Sequence, residues 1–438
     1  MDLTSYRTIR VAAADLNGQM RGKRLPFMDQ EKLDAGAVRM PLSVLNVDIR
    51  GADIDDSPLV FESGDADGVL LPTGRGPLPM PWLTHASALV PLWMFREDGS
   101  PFAGDPRHAL ESVLARYAER GLRVEAATEM EFYLVDDEGG VLRSPANPVT
   151  GRPLQGTAIL SLRQLDSFDA FFTDLYEACA EMDIPADSAI SEAGVGQFEI
   201  NLIHRDAMVA ADDAWLFKTL VKGMARRHGM AATFMAKPYQ DEPGNGMHVH
   251  FSVLDAEGRN IFDDGGPKGT EALLHAVAGC LATMRPSTLI FAPHENSYDR
   301  LVPGAHAPTG AGWAYENRTA AIRIPGGSHK ARRIEHRVSG GDVNPYLALA
   351  AILGAALIGL EDAETPPEPI TGNAYEYDLP QLASDWKIAV RLFESDPRIR
   401  RIFSPELIEN FVMTKRQEIT LLSALPPEQH WPLYLETV

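Results

Sequence analysis

The sequence predicts an α+β fold in two domains, with an antiparallel sheet covered by helices. Three observations carry this. The chain has 438 residues, too many for one ordinary core. Its hydrophobic fraction of 45% is that of a globular protein. Strand-like and helix-like segments also follow one another without the strict β–α alternation of a doubly wound sheet.

The elements read as follows. Tyr6–Asp15 is a strand, followed by a loop with the basic run Arg21-Gly22-Lys23-Arg24. From Asp65 to Asp105 the chain is crowded with Gly and Pro, with short β pieces such as Ala88–Phe95. Asp105 reads as an N-cap and Pro106 as the first helical residue. The domain boundary is placed there, giving domains 1–103 and 104–438. Arg107–Arg120 is then an amphipathic helix closed by Gly121, and Arg123–Leu134 a strand. Asp166–Met182 is a helix, Glu192–Leu202 a strand and Asp212–His228 a helix. Thr233–Lys237 and Met247–Leu254 are strands around a Gly/Pro loop, and Gly269–Met284 is a helix. Pro345–Leu360 is a buried helix, and segments Leu379–Phe393 and Pro405–Ser423 close the chain.

Composition excludes several functions. A net charge of −21 makes a nucleic-acid backbone a poor partner. The two cysteines, Cys179 and Cys280, form no CxxC and read as buried free thiols. The first 18 residues carry no apolar core and no cleavage pattern. The longest apolar run, Leu347–Leu360, is too short to span a bilayer and ends at Glu361 and Asp362. A cytoplasmic protein without membrane partners is therefore expected.

Chemistry concentrates in a few short stretches. In Ala320–Gly341, strand alternation puts Arg333, Glu335 and Arg337 on one side, with Arg318, Arg323, Lys330 and Arg332 close by. So many cations in an acidic chain point to a bound polyanion such as phosphate. Glu129 and Glu131 share one face of their strand, with Met130 and Phe132 on the other. Glu192 and Glu199 flank a Gly-rich bend, and His248, His250 and Ser252 share one strand face. Each motif alone has a bland reading, a solvated strand face or satisfied histidines. Together, carboxylates with an imidazole suit Mg²⁺ or Mn²⁺ better than zinc. Metal ions opposite arginines are a way to hold a nucleoside triphosphate. The GxxxxGK[ST] loop, GxGxxG before a helix and kinase signatures are all absent, so a sheet must hold the nucleotide.

These stretches resemble the glutamine synthetase family. The matching pieces, in family order, are ATEMEFYL at 127–134, SEAGVGQFEIN at 191–201, FMAKP at 234–238 and GNGMHVHFS at 244–252. NSYDRLVPG at 296–304, ENRTAAIRIP at 316–325, KARRIEHR at 330–337 and NPYLALAAIL at 344–353 continue the series. The resemblance implies an N-terminal β-grasp-like domain, a catalytic domain with a curved antiparallel sheet, and ATP-dependent joining of glutamate to an amine through γ-glutamyl phosphate. It implies two or more divalent ions, Mg²⁺ or Mn²⁺, per site. One would be held by Glu131, Glu192 and Glu199, the other by Glu129, His248 and Glu335. Arg300, Arg337 and Gly244 match glutamate contacts, with Arg300 and Arg318 also catalytic. Arg318 and Arg323 match groups facing the phosphates, and His250, Ser252 and Arg333 match nucleotide contacts. It further implies stacked rings, a dodecamer, in which a neighbour's N-terminal domain completes each site.

The departures lie on the amine side. His306 stands where ammonia-using members carry a flap glutamate, and Asp48 in Val47-Asp48-Ile49-Arg50-Gly51 is the best match to their proton-accepting aspartate. Pro243 replaces an asparagine that helps hold the glutamate backbone. DLNGQMRGKR and SVLNVDIRG are similar to the branch that γ-glutamylates polyamines and other amines. Tyr377, in YDLP, sits like a tyrosine that some bacterial members adenylylate, but is read as leading into the next helix. The expected activity is that of a γ-glutamylpolyamine or related γ-glutamylamide synthetase. The alternatives are a glutamine synthetase using ammonia and a catalytically silent relative that only binds.

Overall fold

The computed structural model describes residues 3–26, 30–154, 158–304 and 307–438. Strands β1 (Thr8–Ala14), β2 (Met20–Leu25), β3 (Val38–Pro41), β4 (Asp67–Pro72), β5 (Leu78–Pro79) and β6 (Ser87–Phe95) form one sheet. Its order is β2-β1-β6-β4-β3, with β5 against β6. Only β1 and β6 run parallel. Ile9, Val11, Leu45, Leu70, Met94 and Phe102 belong to a core of its own. The basic run Arg21–Arg24 lies on β2, not in a loop. Pairing with β1 supplies its backbone hydrogen bonds; Lys23 and Arg24 stay outside, while Arg21 turns in to bond the buried Asp15 from Nε at 2.7 Å.

The second sheet carries β7 (Arg123–Val135), β8 (Ala186–Ser191), β9 (Gln197–Leu202), β10 (Arg205–Asp206), β11 (Ala231–Thr233) and β12 (Met247–Leu254). β13 (Trp313–Tyr315), β14 (Ile322–Ile324) and β15 (Ile334–His336) complete it. Its order is β13-β14-β15-β12-β7-β9-β8, with β10 and β11 also on β7. Every pair is antiparallel except β13 with β14. The α+β class read from the sequence is the one observed.

Helices cover one face. Pro345–Asp362 is buried along nearly its whole length and packs on the helices Glu271–Met284, Pro106–Ala118 and Ala207–Arg227. Two glycines permit its closest crossing. A Cβ on Gly279 would lie 2.2 Å from the Ala355 carbonyl oxygen, and one on Gly359 would lie 2.0 Å from that of His275. Among the described residues it is the one helix long and apolar enough to cross a membrane, yet 83% of it is buried inside the fold. Its cap Asn344 accepts from the Tyr346 N–H at 3.0 Å and donates to the Asp15 carbonyl at 2.9 Å, tying the second core to the first sheet. Asp105 caps the helix Pro106–Ala118 as its sequence predicts. One oxygen takes the Arg107 N–H at 2.9 Å, and the other takes the Met94 N–H of β6 at 2.8 Å.

Several boundaries differ from the sequence reading: the strand read as Thr233–Lys237 is Ala231–Thr233, and three larger differences have a clear cause. Asp166–Met182 is two helices, Leu162–Ser167 and Asp169–Glu181, because Phe168 leaves helical geometry (φ −110°, ψ 22°) and packs its ring 5.2 Å from Phe198. Glu192–Leu202 is not one strand. Glu192 lies in the turn between β8 and β9, where Gly196 takes φ +82°. Leu379–Phe393 becomes helical only over Trp386–Ser395, starting where Asp385 accepts the Ile388 N–H at 2.8 Å.

Candidate active site

The site grows from strand alternation on β7. Val124, Ala126, Met130 and Phe132 point into the core, leaving Glu125, Ala127, Glu129 and Glu131 on the open face. Cross-strand register then decides who meets whom. Glu129 lies opposite His248 of β12 and Asn201 of β9, and Glu131 lies opposite Glu199. His250 lies opposite Glu335 of β15, which in turn lies opposite Arg323 of β14.

Side-chain bonds follow this grid. Glu129 binds His248 Nδ1 at 2.7 Å through one oxygen and His250 Nε2 at 2.8 Å through the other. Arg333 Nε donates to His250 Nδ1 at 3.2 Å, which places the ring proton on Nε2, facing Glu129. Glu335 is fully buried and held on both oxygens, by Arg323 Nη1 at 2.7 Å and by Arg337 Nη1. The sequence reading had put Arg333 and Arg337 beside Glu335. Here Arg323 takes one of those places, and Arg333 turns to His250.

Electrostatics divide the carboxylates. Burial works against the charge of Glu129, but His248 and His250 hold it far below the usual carboxylate range. Burial likewise opposes ionisation of Glu335, and Arg337 and the histidines bring it down. Burial and then Glu131 push Glu192 up to about 7. Burial and then Glu129, Glu131 and Glu192 push Glu199 upward. Carboxylates raised by one another form a site short of positive charge.

Two trios bring their ligand atoms within 4.8 Å of one another: Glu129, Glu199 and His248, and Glu129, His250 and Glu335. Glu129 is common to both. Glu131 stands outside them and accepts the Gly246 N–H at 2.6 Å, and Glu192 stands outside in its turn. Carboxylate oxygens and imidazole nitrogens converging in a charge-deficient pocket fit a hard divalent cation.

A cleft of about 1030 Å³ is lined by Glu129, His250, Ser252, Arg333, Lys330 and Asn260. Ser252 Oγ and Asn260 Nδ2 both donate to the Arg332 carbonyl, at 2.9 Å and 2.7 Å, so β12 and the segment before β15 share one floor. Arg300 is buried, donating from Nη1 to the Val338 carbonyl at 2.8 Å. Gly244 lies directly against it, since a Cβ there would approach Arg300 Cγ to 2.8 Å. Arg337 is buried nearby, and the Nε groups of Arg323 and Arg337 have no protein partner among the described residues. Arg318 is exposed and lowers the Glu192 carboxyl by its charge.

Asp48 is elsewhere. Its carboxylate is fully buried, accepting the N–H groups of Arg50 and Ala52 at 2.9 and 3.0 Å and Gln417 Nε2 at 3.2 Å. His306 lies outside the described residues. Tyr377 is exposed and donates to the Thr371 carbonyl at 2.7 Å. Sequence reasoning missed Asn260, Tyr133, Gln197 and Asn245. Tyr133, Gln197 and Asn245 lie inside the stretches ATEMEFYL, SEAGVGQFEIN and GNGMHVHFS, but were given no role; Asn260 lies outside any such stretch.

Comparison with known proteins fits this geometry. The glutamine synthetase catalytic domain matches residues 103–434. The chain belongs to the glutamine synthetase family. It is an ATP-dependent carbon–nitrogen ligase, and enzymes of this family use a divalent metal. It is 36% identical over 427 residues to the γ-glutamylputrescine synthetase of Escherichia coli, covering 96% of this chain and 90% of that one. It is 32% identical to the γ-glutamylethanolamide synthetase of Streptomyces coelicolor, covering 95% and 90%. A solved structure described as a GmaS/ADP complex superposes with a TM-score of 0.84 at 28% identity, covering 99% of this chain and 97% of that one. The match to the γ-glutamyl-amine ligases agrees with the branch read from the sequence.

Proposed function

We propose that this enzyme joins the γ-carboxylate of glutamate to an organic amine, most simply a polyamine, in preference to ammonium. One observation carries the site reading. The Glu129–His248–His250 centre and the Glu335 carboxylate, clamped by Arg323 and Arg337, lie side by side on one sheet face. Cation ligands and guanidinium groups with unpartnered Nε donors are thus adjacent, as transfer of a phosphoryl group to a carboxylate requires.

Residues take these roles. Glu129, Glu131, Glu192, Glu199, His248 and Glu335 would hold two Mg²⁺ or Mn²⁺ ions, with His250 near enough to share the second trio. Such ions supply charge neutralisation at phosphate oxygens. Ser252, His250 and Arg333 line the cleft and suit the nucleotide. Arg323 and Arg337 keep Nε–H donors for anionic oxygens, and the exposed Arg318, whose charge is felt at Glu192, would add to them. Arg300 and the Gly244 backbone suit glutamate. The γ-carboxylate oxygen displaces ADP from the terminal phosphorus, and the neutral amine then displaces phosphate from the acyl carbon.

The amine must lose a proton before it attacks. His306 replaces the flap glutamate of ammonia-using members, and a neutral imidazole accepts a proton near pH 7 without holding an ammonium ion as a carboxylate would. Asp48 is committed to its own turn, so the aspartate role would require that turn to meet a neighbour's site in a ring assembly. A dodecamer of stacked rings, a cytoplasmic location and domains 1–103 and 104–438 belong to the same proposal.

The test is ATP hydrolysis that depends on both glutamate and an amine, scored across putrescine, ethanolamine, aromatic amines and ammonium. Organic amines should exceed ammonium by at least about tenfold in kcat/KM, and His306→Glu should narrow that gap. Efficient glutamine formation with no turnover of any organic amine would overturn the reading.

A further inference from the structure

Gln197 is fully buried at the start of β9, one turn from Glu192, and all its amide capacity points at two loops. Its Oε1 accepts the Gly194 N–H at 3.0 Å. Its Nε2 donates to the Gly244 carbonyl and to Asn245 Oδ1, both at 3.0 Å. Asn245 is itself buried and fixed by donating from Nδ2 to the Met235 carbonyl at 2.9 Å. One side chain thus ties the turn carrying Glu192 to the loop lying on Arg300.

Other side chains hold the same loop. Tyr133 Oη donates to the Pro243 carbonyl at 2.7 Å, and Glu131 accepts the Gly246 N–H at 2.6 Å. Gly194 cannot be anything larger, because a Cβ would lie 1.9 Å from Tyr133 Oη. With both carbonyls and the Gly246 N–H taken, the Gly244 N–H is left without a protein acceptor among the described residues. A Cβ on this glycine would meet both the Ala236 carbonyl oxygen, at 2.4 Å, and Arg300 Cγ, at 2.8 Å, so the backbone is pressed close to both.

We propose that Gln197 is a positioning residue, one that holds the Gly244 N–H beside Arg300 as a donor to a carboxylate of the amino-acid substrate. This rests on the reading of the site as glutamate-using. A backbone donor costs no reorganisation when it is fixed in advance, and a loop free to turn would lose that advantage. Gln197→Leu keeps the bulk and removes all three hydrogen bonds. Tyr133→Phe removes one tie to the same loop and keeps the ring.

The experiment measures glutamate binding by calorimetry in Mg-ADP, and KM for glutamate and for ATP, in wild type, Gln197→Leu and Tyr133→Phe. Thermal unfolding is followed in parallel. Glutamate affinity and KM should weaken about tenfold in Gln197→Leu and less in Tyr133→Phe, with KM for ATP within about twofold. Equal shifts in both KM values, or none, in the folded variants would overturn the positioning role. If Gln197→Leu does not fold, unchanged glutamate KM in Tyr133→Phe overturns it alone. A wild type that binds no glutamate would overturn the functional reading itself, and this inference with it.

Discussion

The active face of the second sheet and the junction beneath the first sheet both bury charge, and they do so in opposite ways. At the junction Lys415 and Glu418, both with fully buried side chains, pair at 2.9 Å. Asn17 from the turn after β1 completes the set, accepting from Lys415 Nζ at 2.5 Å and donating to the second Glu418 oxygen at 2.7 Å. One cation, one anion and one amide satisfy each other across some 400 residues of chain, a separation of 401 for Asn17 and Glu418. At the site, Glu129, Glu131, Glu192 and Glu199 face one another, and the last two are pushed upward by burial and by their neighbours. Buried charge that the chain balances itself holds the chain together. Buried charge it leaves unbalanced is arranged for something arriving from solution.

The sharpest test of that contrast is on the unbalanced side. Glu131→Gln should lower glutamate-dependent ATP turnover by about 10³ while circular dichroism and unfolding temperature stay near wild type. Near wild-type turnover in Mg²⁺ would remove Glu131 from the site.

The balanced side should respond in stability. Lys415→Met leaves Glu418 buried without its cation and should cost about 3–5 kcal/mol in denaturant unfolding. Lys415→Met with Glu418→Leu should recover most of this. Burial raises the Glu418 carboxyl and Lys415 opposes the rise. Without Lys415 it rises further, so the single variant's deficit should shrink as pH falls and Glu418 takes up a proton. A neutral Lys415→Met would break the comparison.

The smallest effect is the one metal should produce. Adding Mg²⁺ to metal-free protein should stabilise it by about 2.7 kcal/mol at a hundredfold excess over Kd, read as a rise in Tm. The rise should vanish in Glu129→Gln, since Glu129 serves both ligand trios. An equal rise in that variant would place the ion elsewhere.

Much of this site was legible because period-2 alternation is a local property. The Glu129–Glu131 face, the His248–His250–Ser252 face and the Asp105–Pro106 helix start each depend on residues a few positions apart. The ligand grouping was less legible. The resemblance paired Glu131 with Glu192 and Glu199, whereas the converging trios contain Glu129 twice and bring in His250. Gln197 escaped notice for the same reason: its partners, Gly244 and Asn245, lie 47 and 48 residues away.

The sequence by itself determined most of the elements, the faces on which carboxylates and imidazoles stand, the concentration of arginines near Glu335 and the membership of the family. Tertiary structure decided which of them touch. Arg323, not Arg333, took the second oxygen of Glu335 because β14 pairs with β15 in a register that sets Arg323 opposite it. Asp48 became a turn residue because two backbone N–H groups and Gln417 claim its carboxylate. Side-chain direction along a strand is set by its own backbone, but partner identity is set by strand register and loop closure, which depend on the whole chain.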